Sequence, residues 1–305
     1  MIVVVCPGQG SQTPGFLSPW IAEPRFRDHL AVMSDSVGID LEHHGTVSEA
    51  DTIRDTAIAQ PLIVAAGLLT LAALFDGRRD RIGGVAGHSV GEVTAAAAAG
   101  IVSEADALTL VRERGRAMAA AAAVEKTGMS AVLGGSEEEL LEKISELGLE
   151  PANFNGGGQI VVAGALDALA QLAGDPPTRA RVIPLQVAGA FHTRFMLSAV
   201  DHLRAVAGQI VILDPTLQIW SNRDGATVSS GVAFIERLVG QVSSPVRWDK
   251  TMEAFAAAGV TGLIEIAPAG ALVGLAKRGL KGMPTVPVTT PDDLALAFDL
   301  IDGKS

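Results

Sequence analysis

The stretch Ile82-Gly83-Gly84-Val85-Ala86-Gly87-His88-Ser89-Val90-Gly91-Glu92-Val93-Thr94, continued by the alanines Ala95 to Ala99, decides the fold. An apolar run leads into a turn, and the turn leads into strong helix formers. The turn itself reads G-x-S-x-G, Gly87 to Gly91, with Ser89 at its apex. A strand, a sharp glycine-flanked turn and a helix in that order make a nucleophile elbow. The glycines are needed because the turn leaves no room for side chains beside the serine. The helix then points its free N–H groups back at the place where negative charge would develop. The plain alternative is a Gly-rich strand-to-helix turn that carries a serine by chance, and the rest of the chain decides between the two.

Four runs read as buried parallel strands: Ile2–Cys6, Ile82–Ala86, Gln218–Ser221 and Gly262–Ile266. Helical patterns separate them, at Ala57–Phe75, Val90–Ala99, Glu104–Ala122, Phe195–Ala207 and Lys250–Ala258. Such alternation predicts an α/β fold with a mainly parallel sheet. The middle of the chain differs. Met129–Leu133, Gln159–Ala163 and Arg181–Leu185 read as strands, Glu137–Ser145 and Leu166–Leu172 as helices, and Asn153–Gly158 as a turn. The implied order β-α-β-β-α-β predicts a small ferredoxin-like insert, with one strand still to be placed near Leu149–Ala152. The expected division is 1–124 with 188–305 as the catalytic domain and 125–187 as the small subdomain.

Composition narrows the function. The chain has 305 residues, 48% of them hydrophobic, so a large core is available. A net charge of −11 argues against a nucleic-acid surface, which needs a basic face. The single cysteine, Cys6, lies in an apolar strand and excludes an internal disulfide framework and a multi-cysteine zinc site. The N-terminus lacks the basic segment and long apolar core of a signal peptide. The uncharged run Ile58–Phe75 is near the lower limit of a membrane span. Gln60 and Thr70 interrupt it and charges flank it, so it reads as a helix buried against a sheet. A soluble, cytoplasmic protein without a membrane contact is expected.

A serine nucleophile needs a base. Of the six histidines, His88 is adjacent to the serine in a tight turn, where neighbouring side chains point apart. His43 and His44 read as surface, and His29 and His202 lie in polar helical contexts. His192, in Gly189-Ala190-Phe191-His192-Thr193, sits in a loop between a strand and a helix, where parallel-sheet folds place their active sites. It is the candidate base. Arg114 falls on the apolar stripe of its helix, with Ala107, Leu110, Val111, Met118 and Ala121. A buried arginine must be paired, either in a structural salt bridge or as a two-pronged clamp on a substrate carboxylate. Pro7-Gly8-Gln9-Gly10-Ser11-Gln12 after the first strand would let backbone approach a ligand, and it is not a nucleotide motif.

With these residues in place, the chain resembles the malonyl-CoA:acyl carrier protein transacylases and, more broadly, the acyltransferase domains of fatty acid and polyketide synthases. The resemblance runs from the first strand to about Arg278. It rests on an ordered set: Pro7–Gln12, Gly87–Glu92, Val111–Gly115, Asn153–Asn155, Gly189–His192, Gln241–Trp248 and Glu265–Pro268. It implies an α/β-hydrolase-like core in which Ser89 carries the acyl group and His192 is its base. It implies that the Gln241 carbonyl orients His192 in place of an aspartate, and that Val90 and Gln9 N–H form the oxyanion hole. Arg114 would grip the free carboxylate of malonate, and Met118, Asn155 and Phe191 would line the pocket. Phe191 matches the malonyl pattern, its ring excluding a methyl branch. The implied partners are malonyl-CoA and an acidic acyl carrier protein, with no cofactor and no metal. A local basic surface is then needed, for which Arg78–Arg81, Arg179–Arg181 and Lys277–Arg278 are candidates, each otherwise a plain solvated face. A monomer is expected. Two other readings stand beside this one. A serine hydrolase would need an acidic partner, for which Asp167 and Asp175 are the only aspartates of the insert. A non-catalytic carrier-docking module would not need Ser89, His192 and Arg114 together.

Overall fold

The computed structural model describes residues 1–304. Its strands are β1 (Ile2–Cys6), β2 (Ile82–Gly87), β3 (Thr127–Gly134), β4 (Glu150–Gly156), β5 (Gln159–Ala165), β6 (Ala180–Pro184), β7 (Gln218–Trp220), β8 (Val246–Arg247), β9 (Gly262–Glu265) and β10 (Thr285–Pro287). They form two five-stranded sheets. The first has the order β10-β9-β1-β2-β7 and is parallel throughout. β1 lies at its centre, and every side chain of Ile-Val-Val-Val-Cys is buried. Burying each valine is worth roughly 1.5–3 kcal/mol, which explains why an unbroken apolar run is the signature of this strand. From β1 the chain steps to β2 and β7 on one side, and later to β9 and β10 on the other. A crevice at the carboxyl ends of the strands follows from that reversal.

β10 has no counterpart in the sequence reading. It is three residues long and only partly buried, so it carries little apolar signal. The helix Thr56–Phe75 is the one described helix long and apolar enough to cross a membrane, and it lies in the core. Pro61 is inside this helix, beyond its first turn. Gly115 of the helix Glu104–Ala122 faces its start, and a Cβ there would sit 2.9 Å from the Thr56 carbonyl oxygen. That close approach brings Arg114 beside Gln60.

The second sheet has the order β6-β3-β5-β4-β8. Its first four strands pair antiparallel, in the ferredoxin-like arrangement. The segment read as a turn from Asn153 is in fact strand β4, which runs through Gly156. The turn itself is confined to Gly157 and Gly158. Proline, two asparagines and a run of glycines disguised the strand, because β-propensity is weak where tertiary pairing fixes a segment. β8 adds to the edge of β4 in parallel, from a distant part of the chain. Side chains of this sheet alternate between two faces. Val132, Phe154, Ile160 and Val162 pack under the helices Glu137–Glu146 and Leu166–Gly174. Met129, Ala131, Asn153, Asn155 and Val161 face the other way, into the crevice of the parallel sheet.

Candidate active site

Ser89 follows β2 with φ of +53°, a left-handed backbone that a residue other than glycine holds only where its surroundings enforce it. The flanking glycines are steric necessities. A Cβ on Gly87 would fall 2.0 Å from the Gly91 carbonyl carbon, and one on Gly91 would fall 2.1 Å from the Cys6 carbonyl oxygen. The turn is therefore pressed against the end of β1, and the helix Gly91–Ala98 starts directly behind the serine.

His192 also has positive φ, +64°. Its Nε2 lies 2.7 Å from Ser89 Oγ, and its Nδ1–H donates to the Gln241 carbonyl oxygen at 2.8 Å. A carbonyl only accepts, so it fixes the proton on Nδ1 and leaves Nε2 free to receive the serine proton. Burial, aided by the charge of Arg114, pushes the imidazole down to about 3, so it is a neutral base at pH 7. Among the described residues no carboxylate bonds to its ring: Asp167 and Asp175 are exposed on the small sheet's outer side.

Arg114 is 1% exposed. Its Nη1 donates to Gln60 Oε1 at 2.6 Å and its Nη2 to Gln241 Oε1 at 2.7 Å. Nη2 is also 3.4 Å from Ser89 Oγ, and Nε has no partner among the described residues. Both clear acceptors are neutral amides. Burial lowers its pKa only to about 10, so it remains a cation. A buried cation with no ion-paired carboxylate among the described residues, beside a serine hydroxyl, has the chemistry to hold an anion.

Ser89, Arg114 and His192 line one cavity of about 560 Å³. Gln9, Val90, Met118, Asn155 and Phe191 also line it, while Gln241 stands behind Ser89 and His192. Val90 N–H is at the start of the elbow helix and Gln9 N–H is in the loop after β1, both at the crevice. The Gln9 side chain turns away to the Arg54 carbonyl and Thr56. Asn155 Oδ1 is 2.9 Å from His88 Nε2, and Asn155 Nδ2 donates to Gln159. His88 therefore braces the small sheet against the elbow. Phe191 and Val187 also wall a second cavity of about 570 Å³ on the far side.

Four participants were not singled out from the sequence. Gln60 holds one prong of Arg114. Glu92 and Asn222, both buried, tie the elbow to Gln241. Glu265 accepts from Gly270, Leu272 and Val273 N–H and so anchors the helix Ala271–Gly279 at the cavity mouth. Gln60 interrupts an otherwise apolar helix, and Glu92 is a charge amid alanines. Those anomalies were legible, but their partners were not. Of the basic segments, Arg79 and Arg81 are engaged by Thr216 and Asp302, whereas Arg278 reaches the cavity wall.

Comparison with known proteins bears on this geometry. A family described as the acyl transferase domain matches residues 3–292. The malonyl CoA-acyl carrier protein transacylase of Mycobacterium tuberculosis is 50% identical, covering 96% of this chain and 98% of the relative. The protein of that name from Escherichia coli K12 is 33% identical, covering 97% and 98%. Among solved structures, MCAT from Mycobacterium tuberculosis superimposes with a TM-score of 0.93 at 49% identity, covering 96% of this chain and 98% of that one. A malonyl-transacylase solved in complex with a type II PKS acyl-carrier protein gives 0.91 at 30% identity, covering 98% and 99%.

Proposed function

The chain belongs to the acyl transferase domain family, and on that premise we propose that it is an acyl-carrier-protein S-malonyltransferase working through a malonyl ester on Ser89. The observation that carries this reading is Arg114, a buried guanidinium held by neutral amides 3.4 Å from the Ser89 hydroxyl. An acyl donor with a free carboxylate completes that site.

In the first half-reaction His192 Nε2 takes the Ser89 proton as Oγ attacks the thioester carbonyl. The oxygen gains negative charge and is received by Val90 and Gln9 N–H, each worth about 3 kcal/mol in such sites. The C–S bond then breaks, and the imidazolium returns its proton to the CoA thiolate. In the second half His192 takes a proton from the phosphopantetheine thiol of the carrier protein. The thiolate attacks the ester, and Ser89 leaves and recovers the proton. Gln241 supports both halves by holding Nδ1–H. Arg114 holds the acyl group through its far carboxylate, with Met118 and Asn155 alongside. The Phe191 ring walls the cavity toward the second one and would exclude a methyl branch. No cofactor or metal takes part in these steps.

The carrier protein would approach past Arg278 at the mouth, the residue of the basic candidates that lines the cavity with Ser89. The enzyme would serve fatty acid synthesis, polyketide synthesis or both, as a soluble monomer in the cytoplasm. The testing experiment is incubation with malonyl-CoA without carrier protein, followed by intact-mass and free-CoA measurement. A malonyl adduct on the wild type that is absent in Ser89→Ala is the expected result. Continuous CoA release without an adduct would favour a hydrolase, and neither adduct nor release would remove the donor.

A further inference from the structure

Gln241 sits between two groups with opposite demands. On one side the Arg114 guanidinium can only donate, and it takes Gln241 Oε1 at 2.7 Å. On the other side is the Glu92 carboxyl, 1% exposed. Glu92 Oε1 accepts from Asn222 N–H at 2.6 Å, and Oε2 accepts from Gln241 Nε2 at 2.5 Å. Gln241 Nε2 also lies 3.1 Å from Asn222 Oδ1. Asn222 is fully buried; its Oδ1 accepts from Ser89 N–H at 2.7 Å and its Nδ2 donates to the Gly87 carbonyl at 2.6 Å. These bonds form a polar network behind the serine, in which Gln241 Nε2 faces three acceptors, Glu92 Oε2, Asn222 Oδ1 and, at 3.3 Å, the Ser89 carbonyl oxygen.

We propose that Glu92 and Asn222 are positioning residues that lock the Gln241 side-chain amide with its oxygen toward Arg114, and so fix the substrate-carboxylate clamp. The inference rests on the malonyltransferase reading for its substrate. Glu92 does not touch the reacting atoms. It acts by occupying the amide nitrogen, so that only the oxygen is left for the guanidinium. Asn222 adds a second acceptor for the same nitrogen, and it also engages Ser89 N–H. With that donor engaged, the oxyanion is left to Val90 and Gln9 N–H. The His192 contact uses the main-chain carbonyl of Gln241, which ends the helix Gly231–Gln241 and does not depend on the amide. Clamp and base are therefore separable.

The distinguishing variant is Glu92→Gln, which keeps the size of the side chain. Its own amide must still accept from Asn222 N–H, so it turns an NH₂ toward the NH₂ of Gln241. Relief requires Gln241 to rotate, which places its NH₂ against Arg114 and removes that acceptor. The expected result is a fall of about tenfold in the malonyl-over-acetyl ratio of kcat/KM, the worth of one hydrogen bond to a charged group. Labelling of Ser89 by a fluorophosphonate, which reads the serine–histidine pair without the clamp, should change less than the selectivity does. Equal loss of labelling and selectivity would overturn the proposal in favour of general support of the elbow, and unchanged selectivity would overturn it outright. Gln241→Ala provides the second arm, including the case in which Glu92→Gln fails to fold. It should lower selectivity by a similar factor, and adding Glu92→Gln to it should lower selectivity no further. Retained selectivity in Gln241→Ala, or an additive double variant, would also overturn the proposal. A wild type that takes no malonyl group from malonyl-CoA would instead refute the underlying reading, and that outcome is visible before any variant is made.

Discussion

The two sheets supply opposite walls of one cavity, and they do so by different physics. The parallel sheet contributes side chains from loops at the ends of buried strands, each fixed by several hydrogen bonds: Ser89, with Asn222 and Gln241 behind it. The antiparallel sheet contributes the regular alternation of β3, β4 and β5, which turns Met129, Ala131, Asn153, Asn155 and Val161 inward. Among the described residues of this sheet, Asn155 alone makes a side-chain bond across to the elbow, through His88. Chemistry thus sits where backbone is over-determined, and enclosure is provided by a surface that follows from strand periodicity alone. The left-handed φ values of Ser89 and His192 are both held in the first setting, at buried or half-buried positions, whereas the one at Arg179 of the second lies at a strand start on the surface.

That contrast is open to direct attack. Arg114→Ala, on the parallel-sheet side, should cost the most. It removes the cation proposed to face the donor carboxylate and should lower malonyl-over-acetyl selectivity about a hundredfold, within the usual cost of losing a buried charged partner. Steady-state kinetics with both acyl-CoA donors would measure it, and equal malonyl rates would refute the clamp. Asn155→Ala, on the antiparallel side, should cost about three- to tenfold in kcat/KM, the worth of one neutral hydrogen bond. A loss as large as that of Arg114→Ala would erase the distinction between a catalytic wall and an enclosing one. The smallest expected effect concerns pH. His192 is held down to about 3, below the ordinary histidine value near 6.5, chiefly by burial. A lowered value keeps the imidazole neutral as pH falls, so fluorophosphonate labelling of Ser89 should stay level from pH 8 to pH 5. A drop centred near pH 6.5 would mean that the histidine is more open to water than its burial indicates.

Most of the parallel half was legible because its central strands are buried and written as apolar runs, unbroken in Ile2–Cys6 and interrupted by Glu265 in Gly262–Ile266. Ile2–Cys6, Ile82–Ala86 and Gly262–Ile266 carry their own burial in their composition, and G-x-S-x-G marks the turn by the residues it excludes. Arg114 was legible as an anomaly, a charge on an apolar stripe, and His192 as a histidine in a strand-to-helix loop. β4 was misread as a turn and β8 and β10 were missed, since these segments owe their extended form to neighbours across the sheet.

The sequence by itself determined the alternation of elements, the elbow and the residue types able to carry acyl transfer, because each is a local pattern of sterics and hydrophobic period. Tertiary structure alone decided which groups meet. It placed Gln60 and Gln241 on the two prongs of Arg114, Asn222 on the Ser89 N–H, and Glu92 against the Gln241 amide, over separations of 54 to 149 residues. Buried polar groups must find partners wherever the fold supplies them. That requirement is satisfied in space, so a chain read in one dimension shows the need for a partner but not the partner itself.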